Sequence, residues 1–319
     1  MTSQQIYDLA ISLGVKADLR GAVRVNKQLA KLKTKYQEMS AKEKAEFDLE
    51  SLTNPYSDSR VLYSNNKPVK RIMAGIDIGG AEILLAKQLD GIELVISHHP
   101  HGVALAGLDG VMSMQAEILA DYGVPINIAQ SLIKLRISEV SRRLSPENHN
   151  HVVDIARVAG LDFMCLHTPA DNLAAIFLTD LYEKNKKNLD TVEDLMELFK
   201  TVPEYQAAIK MKSGPKIFVG APENYLGKVV FTEITGGTSG SKDVYERMSQ
   251  YGIGTIVGMH MSDEHRAEAE KHHINVVIAG HMSSDSLGMN LLLDEVEKKG
   301  VEVLPIGGFI RVKRFKGKK

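Results

Sequence analysis

Three apolar runs in the 319-residue sequence end on side chains able to bind a metal. "LVIS" runs into His98 and His99, followed by Pro100 and His101. "LDFMC" runs into "LHTPADN", which carries His167 and Asp171. "INVVIAG" runs into His281, with Asp285 four positions on. Imidazole and carboxylate ligands together suit zinc, iron or manganese. At the start of a helix, residues four apart share a face, so His281 and Asp285 can reach one point. Adjacent histidines on an irregular strand end diverge and chelate one ion poorly. They can serve two neighbouring ions, one each, with Asp171 or Asp285 bridging. A two-metal cluster needs roughly this many ligands, with ions about 3.5–4 Å apart. One His–Asp pair at this spacing arises easily by chance, whereas three separate strand ends of the same kind do not. On the residues alone, polar caps on a packed sheet stay open as the other reading.

Such ligands need elements that bring distant strand ends together. "RIMAGID" reads as a strand, "GGAEILLAKQLDG" as a helix with Gly91 past its end, and "IELVIS" as a second strand. That is a βαβ unit, which implies a parallel pair and a right-handed crossover. His98 and His99 then sit just past a strand's carboxyl end, where open α/β sheets hold ligands. Helical patterns fill 112–122, 127–144 and 148–159, and "LDFMCLH" is another strand. Further on, "KIFVG", "KVVFTEI", "GTIVGM", "INVVIAG" and "VEVLPI" read as strands separated by helices. The expected fold is α/β with mixed or parallel sheets in two lobes. Residues 66–182 form the first lobe and 216–319 the second, with a charged helical connection at 183–215. Residues 1–65 read as an N-terminal helical extension packed on the main domain. Thr2 and Gln5 suit a capping box, and Ile6, Leu9 and Leu13 share a face. Leu29, Leu32, Tyr36 and Met39 form a second stripe, and "NPYSDSRVLYSNNKP" a loop with at most a short strand.

Lys and Arg number 39 against 40 Asp and Glu, so no global field points to nucleic acid or membrane. Cys165 is the only cysteine, which excludes disulfides and cysteine zinc sites within the chain. No apolar run approaches the roughly 20 residues of a spanning helix, and the N-terminus lacks a signal-peptide pattern. The expectation is a cytoplasmic protein without membrane or nucleic-acid partners. "TGGTSGSKD" reads as a Gly/Ser turn opening a helix. Its Gly236, Gly237, Ser239 and Gly240 are candidates to bind an anion through backbone N–H groups, with a plain turn as the alternative. "HRAEAEKHH" reads as a solvated helix, and "RVKRFKGKK" as a solvated basic end.

The ordered set resembles the Nif-three-like family, also called the GTP cyclohydrolase I type 2 family. "GIDIGGAEILLAKQLDGIELVISHHPHG" resembles its first metal segment, ending in His-His-Pro. "LHTPADN" resembles its His-Thr-x-x-Asp, "GGTSG" its Gly-rich turn, and "VVIAGHMSSDSLGMNLLLDEV" its last segment. The resemblance covers about 71–310, with gaps. It implies two lobes sharing a central metal cleft, a homohexameric ring, and His98, His99, Asp171, His281 and Asp285 as ligands of two divalent ions (Zn, Fe or Mn). It places His167 near the cluster rather than clearly among its ligands, and its cyclohydrolase label suggests opening of a purine-type ring. Two cations would make the chain a hydrolase, with a small phosphate-bearing or nucleotide-like substrate suited to the cations and the Gly-rich turn, and His101 or His167 as proton relay. A non-catalytic metal-binding or regulatory protein is the alternative. Two departures stand out. Position 285 is Asp where the family usually has Glu, and 67 residues separate His99 from His167, a longer segment than the family pattern.

Overall fold

The computed structural model describes residues 1–315. Two sheets form. In chain order the strands are β1 (Arg60–Tyr63), β2 (Arg71–Gly75), β3 (Leu94–Ser97), β4 (Asp162–Cys165), β5 (Lys216–Val219), β6 (Lys228–Glu233), β7 (Ile253–Gly258), β8 (Asn275–Ile278) and β9 (Glu302–Ile306). The first sheet runs β1-β4-β3-β2-β9 and the second β5-β8-β7-β6. Each has a parallel centre and one antiparallel edge, β1 on β4 and β5 on β8. β3, β4 and β8 are buried at every position. That is what a parallel strand covered on both faces requires, and it explains their unbroken apolar runs.

The sheets are stacked with helices between and outside them. Ile83, Ala86, Val152 and Ala156, from helices Gly80–Gln88 and His151–Ala159, cover the outer face of the first sheet. Its inner face packs on helices Ser3–Ala17 and His281–Glu297 through Ile6, Ala10, Leu292 and Val296. Helix Thr168–Asn185 lies beside them and also packs on the second sheet through Ala174, Ala175 and Leu178. In that sheet alternate residues part company: Val229, Phe231, Val257 and Val277 face this middle layer, while Val230, Ile256 and Val276 face out. Period-two alternation thus serves two cores at once.

Helices Thr168–Asn185 and His281–Glu297 cross in close contact. A Cβ at Gly288 would overlap the Ala170 carbonyl oxygen, so only glycine permits this approach. Asp171 and Asp285 are brought together by that crossing.

The two sheets do not follow the expected lobe boundaries. β9, in the stretch assigned to the second lobe, returns to pair with β2 of the first sheet. Ala116, Leu119, Ala129 and Ile133, within the first-lobe stretch, cover the outer face of the second sheet. The reason is burial: the β2 edge needs a ladder partner, and the outward face of the second sheet needs an apolar cover. Residues 1–65 are likewise integral. The capping box at Thr2 forms in both directions, helix Ser3–Ala17 is part of a core, and β1 closes a sheet edge.

The basic C-terminal stretch is docked where solvation was expected. Arg311 pairs with Asp294 and Glu297, and Arg314 pairs with Glu204; residues 316–319 of that stretch lie outside the described residues. Helix Asp263–Lys271 is charged and largely exposed, but its His265 is buried and bonds the Gly240 carbonyl through Nε2 at 3.0 Å. No helix among the described residues is long and apolar enough to cross a membrane.

Candidate metal centre

The parallel ladder of β2 and β3 continues past both strands. His98 N donates to Gly75 O at 2.9 Å and His99 N to Ile76 O at 3.1 Å. Both histidine backbones are therefore fixed. The two rings diverge, with centroids 5.4 Å apart. His98 is wholly buried, and its Nδ1 lies 3.1 Å from Leu166 O. A carbonyl only accepts, so Nδ1 carries the proton and a neutral ring turns the Nε2 lone pair inward. That Nε2 lies 3.3 Å from Asp171 Oδ1 and 3.5 Å from Asp285 Oδ1. His99 Nδ1 is held by Asp77 Oδ1 at 2.6 Å, and its Nε2 lies 3.5 Å from Asp285 Oδ2.

β4 delivers the second pair. His167 caps helix Thr168–Asn185, which carries Pro169 at its start and Asp171 in its first turn. His167 N donates to Ser59 Oγ at 2.9 Å, and Nδ1 lies 2.8 Å from Asp58 Oδ2. The Thr168 hydroxyl donates to the same Asp58 oxygen at 2.6 Å.

β8 delivers the third pair. Gly280 has φ 108°, a conformation strained for any side chain, and it turns the chain straight from strand into helix His281–Glu297. His281 Nε2 then lies 3.5 Å from Asp285 Oδ2, one helical turn on. Asp171 sits in the first turn of its helix, where the dipole favours negative charge.

These side chains form three overlapping groups, each with its candidate ligand atoms within 4.8 Å of one another: His98, His99 and His167; His99, His281 and Asp285; His98, Asp171 and Asp285. Asp285 belongs to two of them. His98 Nε2, Asp171 Oδ1 and both Asp285 oxygens are buried without any hydrogen-bond partner, because the 3.3–3.5 Å contacts lack hydrogen-bonding geometry. Nitrogen and carboxylate atoms converging in this way fit a borderline divalent cation. Burial would lower the His98 pKa, but Asp285 and Asp171 raise it well above the ordinary imidazole value. Burial would raise Asp285, but His98, His99 and His281 hold it well below the usual carboxylate range. A proton on His98 thus plays the part of a cation between the carboxylates. His281 is lowered by burial, with Asp285 opposing.

The structure thus brings His98, His99, His167, Asp171, His281 and Asp285 together. It does not bring His101 with them. The His101 ring packs on Phe163, centroids 5.7 Å apart, and its backbone N–H donates to Cys165 Sγ at 3.2 Å. The Gly-rich turn does reach the centre, but not as the mouth of a helix. The following helix, Val244–Gln250, begins only after residue 243. Gly236 and Gly237 both have positive φ, at 98° and 90°. Gln115 Nε2 donates to the Gly236 and Thr238 carbonyls at 2.7 and 2.6 Å, and Arg136 Nε to Ser239 O at 3.1 Å. The long segment between the first two metal motifs therefore holds this turn. A cavity between turn and cluster is lined by Asp171, Glu233, Thr235, Thr238, Ser239 and His260, among others.

Several of these residues were missed by the sequence reading. Asp77, Glu233 and His260 follow or end β2, β6 and β7, so the strand-end rule that found His98 would have found them. His260 packs on His281, centroids 4.9 Å apart, and its Nδ1 lies 3.0 Å from Ser239 Oγ. Burial raises Glu233, opposed by His265 and His260, and burial lowers His260. Asp58 and Gln115 carry no local signal at all.

A protein from Sphaerobacter thermophilus, solved as a member of the NIF3 superfamily, superposes with a TM-score of 0.78 at 26% identity, over 97% of this chain and 98% of that one. The fold is that of the NIF3 superfamily. More distant solved structures include reduced HcgD from Methanocaldococcus jannaschii, at TM-score 0.47 and 15% identity over 84% of this chain and 97% of that one. A Bacillus cereus protein related to NIF3 gives 0.40 and 11%, over 81% and 92%. No protein-family model matches the chain, and no curated relative was found.

Proposed function

We propose that this chain is a Nif-three-like, GTP cyclohydrolase I type 2-like protein whose cluster holds two divalent ions, zinc, iron or manganese, and that it is a hydrolase. One observation carries the reading: buried, partnerless His98 Nε2, Asp171 Oδ1 and both Asp285 oxygens converge. His98, Asp171 and Asp285 would hold one ion, and His99, His281 and Asp285 the other, with Asp285 between them. When bound, such a pair supplies an acidified water and Lewis-acid stabilisation of developing charge. The chain's own residues do the rest. Asp77 and the Leu166 carbonyl orient the two imidazoles from behind. Glu233 and His260 line the small cavity beside the cluster and can exchange a proton there, with Ser239 steering the His260 ring. A small phosphate-bearing or nucleotide-like substrate fits two cations, and the cyclohydrolase resemblance suggests hydrolytic opening of a purine-type ring. A homohexameric ring belongs to the same reading, and light scattering coupled to size exclusion measures it.

The alternative is binding without turnover. It draws on the depth of the site: His98, Asp171 and Asp285 are at most 1% exposed. Against it, the His99 and His281 side chains are 25% and 37% exposed, which leaves solvent a way to the second ion.

The test is elemental analysis of untagged protein reconstituted in turn with Zn, Mn and Fe, followed by a screen of nucleotides and phosphate esters. About two equivalents of one metal and a turnover that His281→Ala abolishes are expected. Under half an equivalent of every metal would sink the cluster. Full loading without turnover across the screen would favour the binding protein.

A further inference from the structure

We infer that helix Ala22–Glu38 is a docking surface for a nucleic-acid chain, whose phosphates are met by a row of three lysines, Lys27, Lys31 and Lys35. The inference does not depend on the metal centre.

The even charge of the whole chain is unevenly placed. Residues 22–46 carry seven Lys and Arg against three Glu. Of the 17 residues in helix Ala22–Glu38 only Val25 is buried, so the helix rests on the body along one narrow face. Lys27, Lys31 and Lys35 follow one another at intervals of four and are all exposed. Four residues make about one turn, so the row advances in steps of about 6 Å.

The row is unpaired, and that sets it apart. On other helices exposed lysines stand three residues after a glutamate and pair with it: Lys186 with Glu183, Lys200 with Glu197 and Lys298 with Glu295. The positions three and four before each lysine of the row hold Val23, Arg24, Lys27, Gln28, Lys31 and Leu32, none of them acidic. Among the described residues no carboxylate lies within 4.0 Å of any of the three ammonium groups. Like charges one turn apart repel and destabilise a helix. An anion laid along the row removes that repulsion.

The helix is nonetheless firmly held. Arg24 donates to both oxygens of Asp121 at 2.9 Å, and Gln28 donates to Glu117 at 2.8 Å. Both acids belong to helix Ser113–Asp121, whose Gln115 holds the Gly-rich turn. At the far end the Tyr36 ring packs on Phe47, centroids 4.9 Å apart. A row already fixed in place loses little freedom on binding.

The form of the row selects the partner. Evenly spaced single positive charges match a chain of evenly repeated negative ones, whereas a free phosphate would meet one lysine at a time. An anionic membrane calls for large apolar side chains beside the basic ones. Past Val23, the same face has Gln28, Thr34 and Glu38 instead. Lysines on phosphates fix position and carry no sequence preference.

The experiment is fluorescence anisotropy on the full chain, with a labelled single-stranded DNA of mixed sequence as the probe, over a series of salt concentrations. The variant is Lys27→Gln with Lys31→Gln and Lys35→Gln. Its side chains are exposed and its row no longer repels itself, so it should melt no lower than the parent. The parent should bind. The variant should bind at least about tenfold more weakly at low salt, and its plot of log affinity against log salt should be shallower by about two. A control with Lys186→Gln, Lys200→Gln and Lys298→Gln removes the same net charge from paired lysines and should bind as the parent does. A parent that does not bind at low salt overturns the inference. So does a variant that binds as the parent does, or a control that weakens as much as the variant. Polyglutamate is the competing probe: tighter binding of it than of the DNA through the same three lysines would make the partner an acidic protein segment and overturn the nucleic-acid assignment.

Discussion

Two buried clusters of charge lie in this molecule, and they are built to opposite rules. Around the C-terminal stretch, Glu204 accepts from Asn290 and from both Arg314 nitrogens. Asp294 accepts from Arg311 and the Arg314 backbone. Glu297 accepts from Arg311 and Lys313. Every carboxylate oxygen there has a donor, and only Arg311 Nε lacks a partner. In the candidate metal centre both Asp285 oxygens, one Asp171 oxygen and His98 Nε2 have none. An orphaned buried polar atom costs about 1–3 kcal/mol, more when charged. A fold that satisfies one cluster so thoroughly and leaves the other open leaves the second able to take a cation. The satisfied cluster is architecture, tying the end of the chain to helices Pro203–Lys210 and His281–Glu297.

The largest effect expected from breaking this contrast lies in the satisfied cluster. Glu204→Ala removes a wholly buried carboxylate, leaves Arg314 without its carboxylate partner and takes one of the two acceptors of Asn290 Nδ2. Breaking such a pair costs about 3–5 kcal/mol, and the partial exposure of Arg314 places the loss near the lower end. Chemical denaturation should show it, while the folded fraction keeps the parent's metal stoichiometry. A change in stoichiometry with stability intact would mean that the two clusters are not separate.

Asp285→Asn makes the complementary break. It keeps shape, removes the carboxylate shared by two ligand groups, and should weaken binding by more than about 100-fold, beyond the range for outer partners. Thermal stability without metal should change far less than in Glu204→Ala. Asp285→Glu should retain binding, since it restores the residue usual in the resembling family. Chelator competition measures both. Parent-like affinity in a folded Asp285→Asn would reduce Asp285 to a helix-start residue favoured by the dipole.

Gly288→Ala probes how the crossing helices set the ligands. A methyl group there would overlap the Ala170 carbonyl, and overpacking of this kind costs about 1–3 kcal/mol. Asp171 lies one residue from the contact and Asp285 one turn from it. Metal affinity should therefore fall along with the melting temperature. Loss of stability with unchanged affinity would show that the helices can part without disturbing the ligands.

How much of this was readable beforehand depends on where each interaction lies along the chain. Imidazoles at strand ends announce themselves locally, so His98, His99, His167 and His281 stood out, as did aspartates one helical turn past two of them. What supports them is remote. Asp58 meets His167 across 109 positions and Gln115 meets Gly236 across 121, and no periodicity carries such a pairing. His101 misled because it shares a motif with His98 and His99, yet its ring packs on Phe163. The basic stretch near the C-terminus misled in the other direction. Arg311 and Arg314 read as solvated until the acidic groups of two earlier helices were placed beside them. Linear lobe boundaries missed β9 for a related reason, since which edge a strand joins is decided by the partner left unpaired and not by its neighbours in sequence.

The smallest effect concerns protons, and here the two clusters should part again. In metal-free protein His98 has its pKa raised by Asp285 and Asp171 once burial is overcome. A raised folded value means that its stabilisation is complete below the unfolded imidazole value, about 6.5, and is lost as pH climbs through the folded value. Asp285 is depressed in the folded state, so its contribution is present above the unfolded carboxylate value, about 3.9, and fades as pH falls. Metal-free stability should therefore be greatest between roughly pH 4 and 6.5 and decline on the alkaline side, by at most about 1.4 kcal/mol per pH unit for one proton. Bound metal takes the proton's place, so raising pH over the same alkaline window should strengthen binding and stabilise the loaded protein. The slopes of melting temperature against pH should thus have opposite signs with and without metal. Arg311 and Arg314 keep their charge throughout that window, so Glu204→Ala should lower both curves without changing either slope. Parallel slopes for loaded and metal-free protein would mean that no proton is exchanged for a cation at His98, and the orphaned atoms around Asp285 would then need a different occupant.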